Sequence, residues 1–171
     1  MSYGLPFARG SYWASGENGA IPSGILGKSY LDARSGVLLQ VVKNTDASAI
    51  AGCKAVSWET ASKWEVEKVA AVNLRTVAGI VDPEYANKGR TVPVNAAFFI
   101  VKRGRTYAIA GATIVNNTAM RTISAASNGT EGRVQGYAVA LSNNIIAGAL
   151  LGVFRASANA AASVLCDVNI P

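Results

Sequence analysis

The feature that most constrains this chain is a succession of short apolar runs, each about the length of one β-strand and each cut off by Gly, Asn, Ser, Thr or Asp. Val37 to Lys43 (VLLQVVK) is the first and is followed by the turn formers Asn44, Thr45 and Asp46. Ile50 to Trp58, Trp64 to Val72 and Arg75 to Val81 come next, then a polar loop from Asp82 to Gly89. Beyond it lie Thr91 to Val94 and Ala97 to Lys102, the latter read as a hairpin with Arg105 to Ala110 across a turn at Arg103-Gly104. Thr113 to Asn116, Arg121 to Ala125, Arg133 to Leu141, Ala149 to Ala156 and Ser163 to Val168 complete the series. Strands at a spacing of about 8–12 residues, with no long amphipathic helix between them, exclude a βαβ architecture. They predict an all-β chain: a compact β-barrel or β-sandwich.

One segment carries two periodicities. In Trp58 to Val72, Glu59 with Lys63 and Lys63 with Glu67 stand four apart, as on a helix. Trp64 and Val66 also alternate with Glu65 and Glu67, as on an edge strand, and the strand is the preferred reading.

Residues 1–30 differ from the rest and are read as an extended N-terminal arm, with residues 31–171 as a single β-rich domain. The arm has frequent Gly, two Pro and no regular period, yet it carries large apolar side chains that a flexible linker lacks. Tyr3, Leu5, Phe7, Tyr12, Trp13, Ile21, Ile25 and Leu26 are its candidate anchors. They suit an arm lying along its own domain or along a neighbour.

Half of the residues are hydrophobic, much of this Ala and Val, which fill thin layers between sheets. The net charge of +6 favours an acidic partner. No window forms a basic stripe, since the densest is Lys102, Arg103 and Arg105, so direct nucleic-acid binding is not expected. The longest apolar run, Ile145 to Phe154, is far short of the roughly 20 residues of a membrane-spanning helix, and no membrane partner is expected. Cys53 and Cys166 sit in apolar runs and read as buried free thiols, a long-range bridge being the alternative. The opening MSYGLPFARGSYW has no signal-peptide pattern, so folding in a reducing cytoplasm is expected.

The chain contains no histidine, which removes the commonest general base and metal ligand and every Ser-His or Cys-His nucleophile pair. Gly27-Lys28-Ser29 mimics the end of a phosphate-binding loop, but Pro22 stands where that motif needs its first Gly. Two cysteines with no C-x-x-C spacing give no metal-binding pattern, and no metal or cofactor is expected. Asp82 and Glu84 flank Pro83 and read as turn chemistry. Glu65 and Glu67 share a strand face and are the weak candidate for a carboxylate hydrolase, while Trp58 and Trp64 are the candidate sugar-stacking pair of a receptor- or carbohydrate-binding module. The preferred reading is a non-enzymatic structural or binding protein.

The order of features from Val77 to Val153 carries a resemblance. It runs through a glycine-centred strand (Val77-Ala78-Gly79-Ile80-Val81), a polar loop, AFFIVKRGRTYAIAGATI, the loop SAASNGTEG, a second glycine-centred strand (Val134-Gln135-Gly136-Tyr137-Ala138) and GALLGVF. This layout resembles the small capsid decoration, or cement, proteins of tailed bacteriophages. The resemblance implies a β-barrel or β-sandwich assembled as a homotrimer, bound to the major capsid protein on the exterior of an icosahedral capsid. It also implies a virion location, with the arm residues Tyr3, Leu5, Phe7, Tyr12, Trp13, Ile25 and Leu26 clamping adjacent coat subunits.

Overall fold

A computed structural model of the chain describes residues 4–14, 19–22, 24–69, 77–122, 132–137 and 151–171. Its strands are β1 (Ser29–Asp32), β2 (Val37–Asn44), β3 (Ile50–Ala51), β4 (Ala55–Thr60), β5 (Glu65–Lys68), β6 (Val77–Val81), β7 (Thr91–Val92), β8 (Ala97–Ile109), β9 (Ala119–Thr122), β10 (Val134–Tyr137), β11 (Gly152–Phe154) and β12 (Ser163–Asn169). A 3-10 turn, Ala61–Lys63, separates β4 from β5, and a four-residue helix α1, Glu84–Asn87, follows β6.

β2, β5, β4, β6 and β8 hydrogen-bond in that order, and β8 returns to β2, so five strands close into a barrel. The β2–β5 pair is parallel, and the other four barrel pairs are antiparallel. β1 extends the sheet from β2, while β12, β11, β9 and β10 continue it from the far half of β8. The chain is therefore all-β, as its sequence predicts, and it is a barrel rather than a sandwich.

Side-chain alternation explains why the barrel strands read as apolar without interruption. Successive strand residues point to opposite faces. Phe98 and Ile100 of β8 join Val42, Val56, Val66 and Ala78, one or more from every barrel strand, in a cluster that fills the barrel. Phe99 and Val101 point the other way, into a larger cluster with Leu39, Val41, Ile80, Phe154, Val164 and Cys166. The second cluster is closed over by the β9–β12 sheet and the N-terminal segment, so the outer apolar face of the barrel is covered by the same chain. Cys53 and Cys166 are buried free thiols; burial pushes them up to about 11 and about 12.

The expected hairpin at Arg103-Gly104 is absent: Ala97–Ile109 is one continuous strand. Each half finds partners elsewhere. Ala97 to Arg103 pairs with β2, and Arg103 to Ile109 pairs with β12. Gly104, at φ +106, lets the backbone pass close to a neighbour instead of reversing, since a Cβ there would lie 3.2 Å from Val37 Cα and from the Gly36 carbonyl oxygen. The Ile50 to Trp58 run is likewise two strands, broken where Cys53 takes a positive φ. Thr113 to Asn116 forms no strand; only Ile114 bridges, to Ala158. β9 begins two residues before the Arg121 expected to open it, and the Asp82 to Gly89 loop contains α1. Within Trp58 to Val72 the strand periodicity prevails over residues 65–68, with the helical pairing surviving only as the short 3-10 turn.

Two substitutions test this packing. Gly104→Val is expected to lower stability by about 1–3 kcal/mol, the scale of a strained backbone residue, read from the urea midpoint. Phe99→Ala, truncating a ring with no exposure at the join of the two sheets, is expected to cost about 3–5 kcal/mol.

Candidate functional site

Of the seven arm residues that the resemblance casts as clamps, Tyr3 lies outside the described residues, and the structure brings the other six onto the chain's own barrel. Leu5, Phe7, Trp13, Ile25 and Leu26, with Ile21 and Tyr30, pack on the larger cluster, and Tyr12 packs on the barrel interior cluster. The Phe7 ring lies 4.5 Å from Phe99, which Tyr30 meets edge-on. The main chain of Trp13 exchanges two hydrogen bonds with Ala97 at the start of β8, at 2.9 and 2.8 Å. All six side chains remain partly exposed, so the segment is a strap with an inner apolar face and an outer face open to solvent.

A polar lock that the sequence reading missed holds this strap. The Arg9 guanidinium donates to both carboxylate oxygens of Asp82, at 2.9 and 2.6 Å, and to Asp32 at 2.6 Å. Asp82 has no exposure, and Arg9 stacks its strap directly on α1: a Cβ at Gly10 would fall 2.6 Å from the Glu84 carbonyl oxygen. The Tyr85 hydroxyl donates to the Ser11 carbonyl at 2.6 Å and accepts from the Phe99 amide, tying strap, helix and barrel together. Asp82-Pro83 reads as turn chemistry from sequence, and Asp82 does accept from the Glu84 amide, but the buried carboxylate is first of all the partner of Arg9. A charged residue closing the apolar run VAGIV was the available signal.

On another face, Trp58 and Trp64 meet edge to face, with ring centroids 5.8 Å apart. They line a cavity of about 490 Å3 with Gln40, Lys102 and Arg103. Gln40 and Lys102 interrupt the apolar runs VLLQVVK and AFFIVK, a signal the strand reading passed over. Burial pulls the Lys102 ammonium below the usual lysine range. Glu65 and Glu67 do share a face of β5, but neither lines this cavity. Lys43 pairs with Glu65 at 3.5 Å, and burial, with Glu59 and Asp46 nearby, raises Glu67. Gly27-Lys28-Ser29 enters β1 rather than a helix, which leaves no phosphate cradle. No cluster of three metal-ligating side chains occurs among the described residues, and no described helix is long and apolar enough to cross a membrane.

No protein-family model matches the chain, and no curated protein matches it. Solved structures do. A chain in the capsid of Myoviridae phage XM1 superposes with a TM-score of 0.54 at 11% identity, covering 99% of this chain and 98% of that one. The N base of head fiber gp8.5 in bacteriophage phi29 superposes with a TM-score of 0.47 at 12% identity, covering 77% of this chain and 94% of that one. The fold is thus shared, nearly end to end, with a chain found in a phage capsid.

Two outcomes are expected from the lock. Asp82→Asn, which leaves Arg9 half-buried against a neutral amide, is expected to cost about 3 kcal/mol, read from the urea midpoint. The Asp32 carboxyl is held below its ordinary range by the Ser35 hydroxyl, the Arg34 backbone amide and the Arg9 guanidinium; away from the lock, Arg155 and Arg105 do the same for Asp167. Their stabilisation is present above the unfolded value of about 3.9 and is lost as pH falls through the lower folded values. Unfolding midpoints measured down to about pH 2 are therefore expected to fall, less steeply in Asp32→Asn than in the parent protein.

Proposed function

We propose that this chain is a structural protein of a bacteriophage head. It decorates the exterior of the capsid and stabilises it by gripping adjacent copies of the major capsid protein. The observation that carries this reading is the likeness over 99% of the chain to a chain in the capsid of phage XM1. The net charge of +6 adds to it, since a basic protein is drawn to an acidic outer shell. The absence of histidine throughout the sequence accords with a protein that binds and does no chemistry.

The N-terminal strap is the proposed gripping element, through Tyr3, Leu5, Phe7, Tyr12, Trp13, Ile25 and Leu26. Its seat is a groove on a β-barrel, lined by Phe99 and locked by Asp82. A neighbouring copy offers the same seat. Exchange of the strap between copies keeps each of these contacts and ties the copies together, a low-cost route to the proposed homotrimer, while the outer face of the strap stays open to the coat protein. Leu31, Val94, Tyr107 and Val115 are four of the five large exposed apolar side chains among the described residues, Trp64 being the fifth, and are available to such an interface. Many modest contacts repeated over a shell sum to a firm attachment.

The purified chain is expected to sediment with emptied phage heads, to do so less as salt rises, and to scatter light as a trimer. Removal of residues 1–14 is expected to abolish the sedimentation while circular dichroism still reports strands. A monomer indifferent to shells at every salt concentration overturns the reading.

A further inference from the structure

The tryptophan cavity has features that a capsid-gripping role leaves unexplained. Trp64 is a bulky residue at φ 60, in the left-handed region that a side chain of this size enters at a cost of about 1–2 kcal/mol. The conformation closes the Ala61–Lys63 3-10 turn, where the Trp64 amide donates to the Ala61 carbonyl, and Gly27, itself at φ +80, passes under the indole: a Cβ at Gly27 would lie 2.2 Å from Trp64 Cε2. One face of the ring is therefore sealed by backbone, and the strained geometry aims the rest of it at the cavity beside Trp58.

Gln40 is the second unexplained feature. It is only 7% exposed and lines the same cavity. Its Nε2 donates to the Gly27 carbonyl at 3.0 Å, which fixes the amide, while its Oε1 accepts no hydrogen bond from any described residue. A buried acceptor left without a donor costs about 1–3 kcal/mol, and such a group calls for a partner from outside the chain.

The third is the set of donors opposite. Lys102 Nζ donates to the Ala78 carbonyl at 3.0 Å and to that of Pro171, and sits 5.7 Å from the Trp58 ring centroid. Arg103 Nε donates to Asn169 Oδ1, and no Asp or Glu side chain pairs with Lys102 or Arg103 among the described residues. No carboxylate side chain lines the cavity, which disfavours a cationic ligand.

From these we infer that the cavity binds one hexopyranose unit of a glycan. The electron-rich faces of the two indoles receive the weakly positive C–H face of the sugar ring. A sugar hydroxyl both donates and accepts, so one group fills Gln40 Oε1 while its neighbours accept from the Arg103 guanidinium. Edge-to-face rings, 69° apart, form a corner that suits a puckered ring. A flat base would sit better between parallel rings, and an apolar side chain would leave Gln40 Oε1 unfilled. The volume of about 490 Å3 is of small-ligand size.

The test is titration of the intact protein with maltotriose, chitotriose and trigalacturonate, followed by tryptophan emission and by the indole N–H signals in NMR spectra. At least one sugar is expected to bind saturably, with a Kd on the order of 1 mM, moving the Trp58 and Trp64 signals and leaving Trp13 still. Gln40→Met is expected to weaken that binding about tenfold; it removes the unfilled acceptor together with the Nε2 donor to Gly27, so a thermal melt checks that the variant is folded. Trp64→Gly relieves the left-handed strain, so it is expected to fold and to lose binding. The inference is overturned if no sugar shifts either indole, if both variants bind as the parent does, or if adenosine monophosphate binds there in place of the sugars.

Discussion

Everything in this fold depends on β8 being one uninterrupted strand. Its first half, Ala97 to Arg103, is hydrogen-bonded to β2 and touches β6, and so closes the barrel. Its second half, Arg103 to Ile109, carries β12 and through it the rest of the sheet. Because neighbouring residues face opposite ways, Phe98 and Phe99 seed two different cores from adjacent positions. A reversal at Gly104 would leave the barrel closed by the first half but deprive β12, and with it the sheet over the outer cluster, of its partner strand.

The strap depends on that same strand. Trp13 pairs with Ala97, Phe7 packs on Phe99, and the Tyr85 hydroxyl links the Phe99 amide to the Ser11 carbonyl. What the apolar contacts supply in area, the Arg9–Asp82 pair supplies in position, because a bidentate guanidinium fixes both distance and plane. The strap is thus placed to within one register on the barrel, yet its outer face stays open to solvent.

The fold class was legible in the sequence because each strand is bounded by residues with a mechanical reason to stop it, as at Asn44-Thr45-Asp46 after β2. The anchors of the N-terminal segment were legible for a related reason: large apolar groups have no place on a free tail. What escaped were features set by distant partners. Arg-Gly at 103–104 has the look of a turn, and only the presence of β12 alongside keeps it extended. β1 escaped because Ser29–Asp32 is too polar to announce itself and is a strand by virtue of β2. Arg9 and Asp82 stand 73 positions apart, and no local pattern joins them. Gln40 and Lys102 look like the solvent side of a strand, yet both are buried.

The shared strand also decides how the molecule carries load. Tension applied to the β9–β12 sheet travels along the covalent backbone of β8 straight into the barrel wall. The Leu38-to-Lys43 ladder with β2 then meets it lengthwise, so its bonds must slide together rather than open one at a time like a zip. A joint of this kind yields late and all at once, which makes the two halves a single mechanical part.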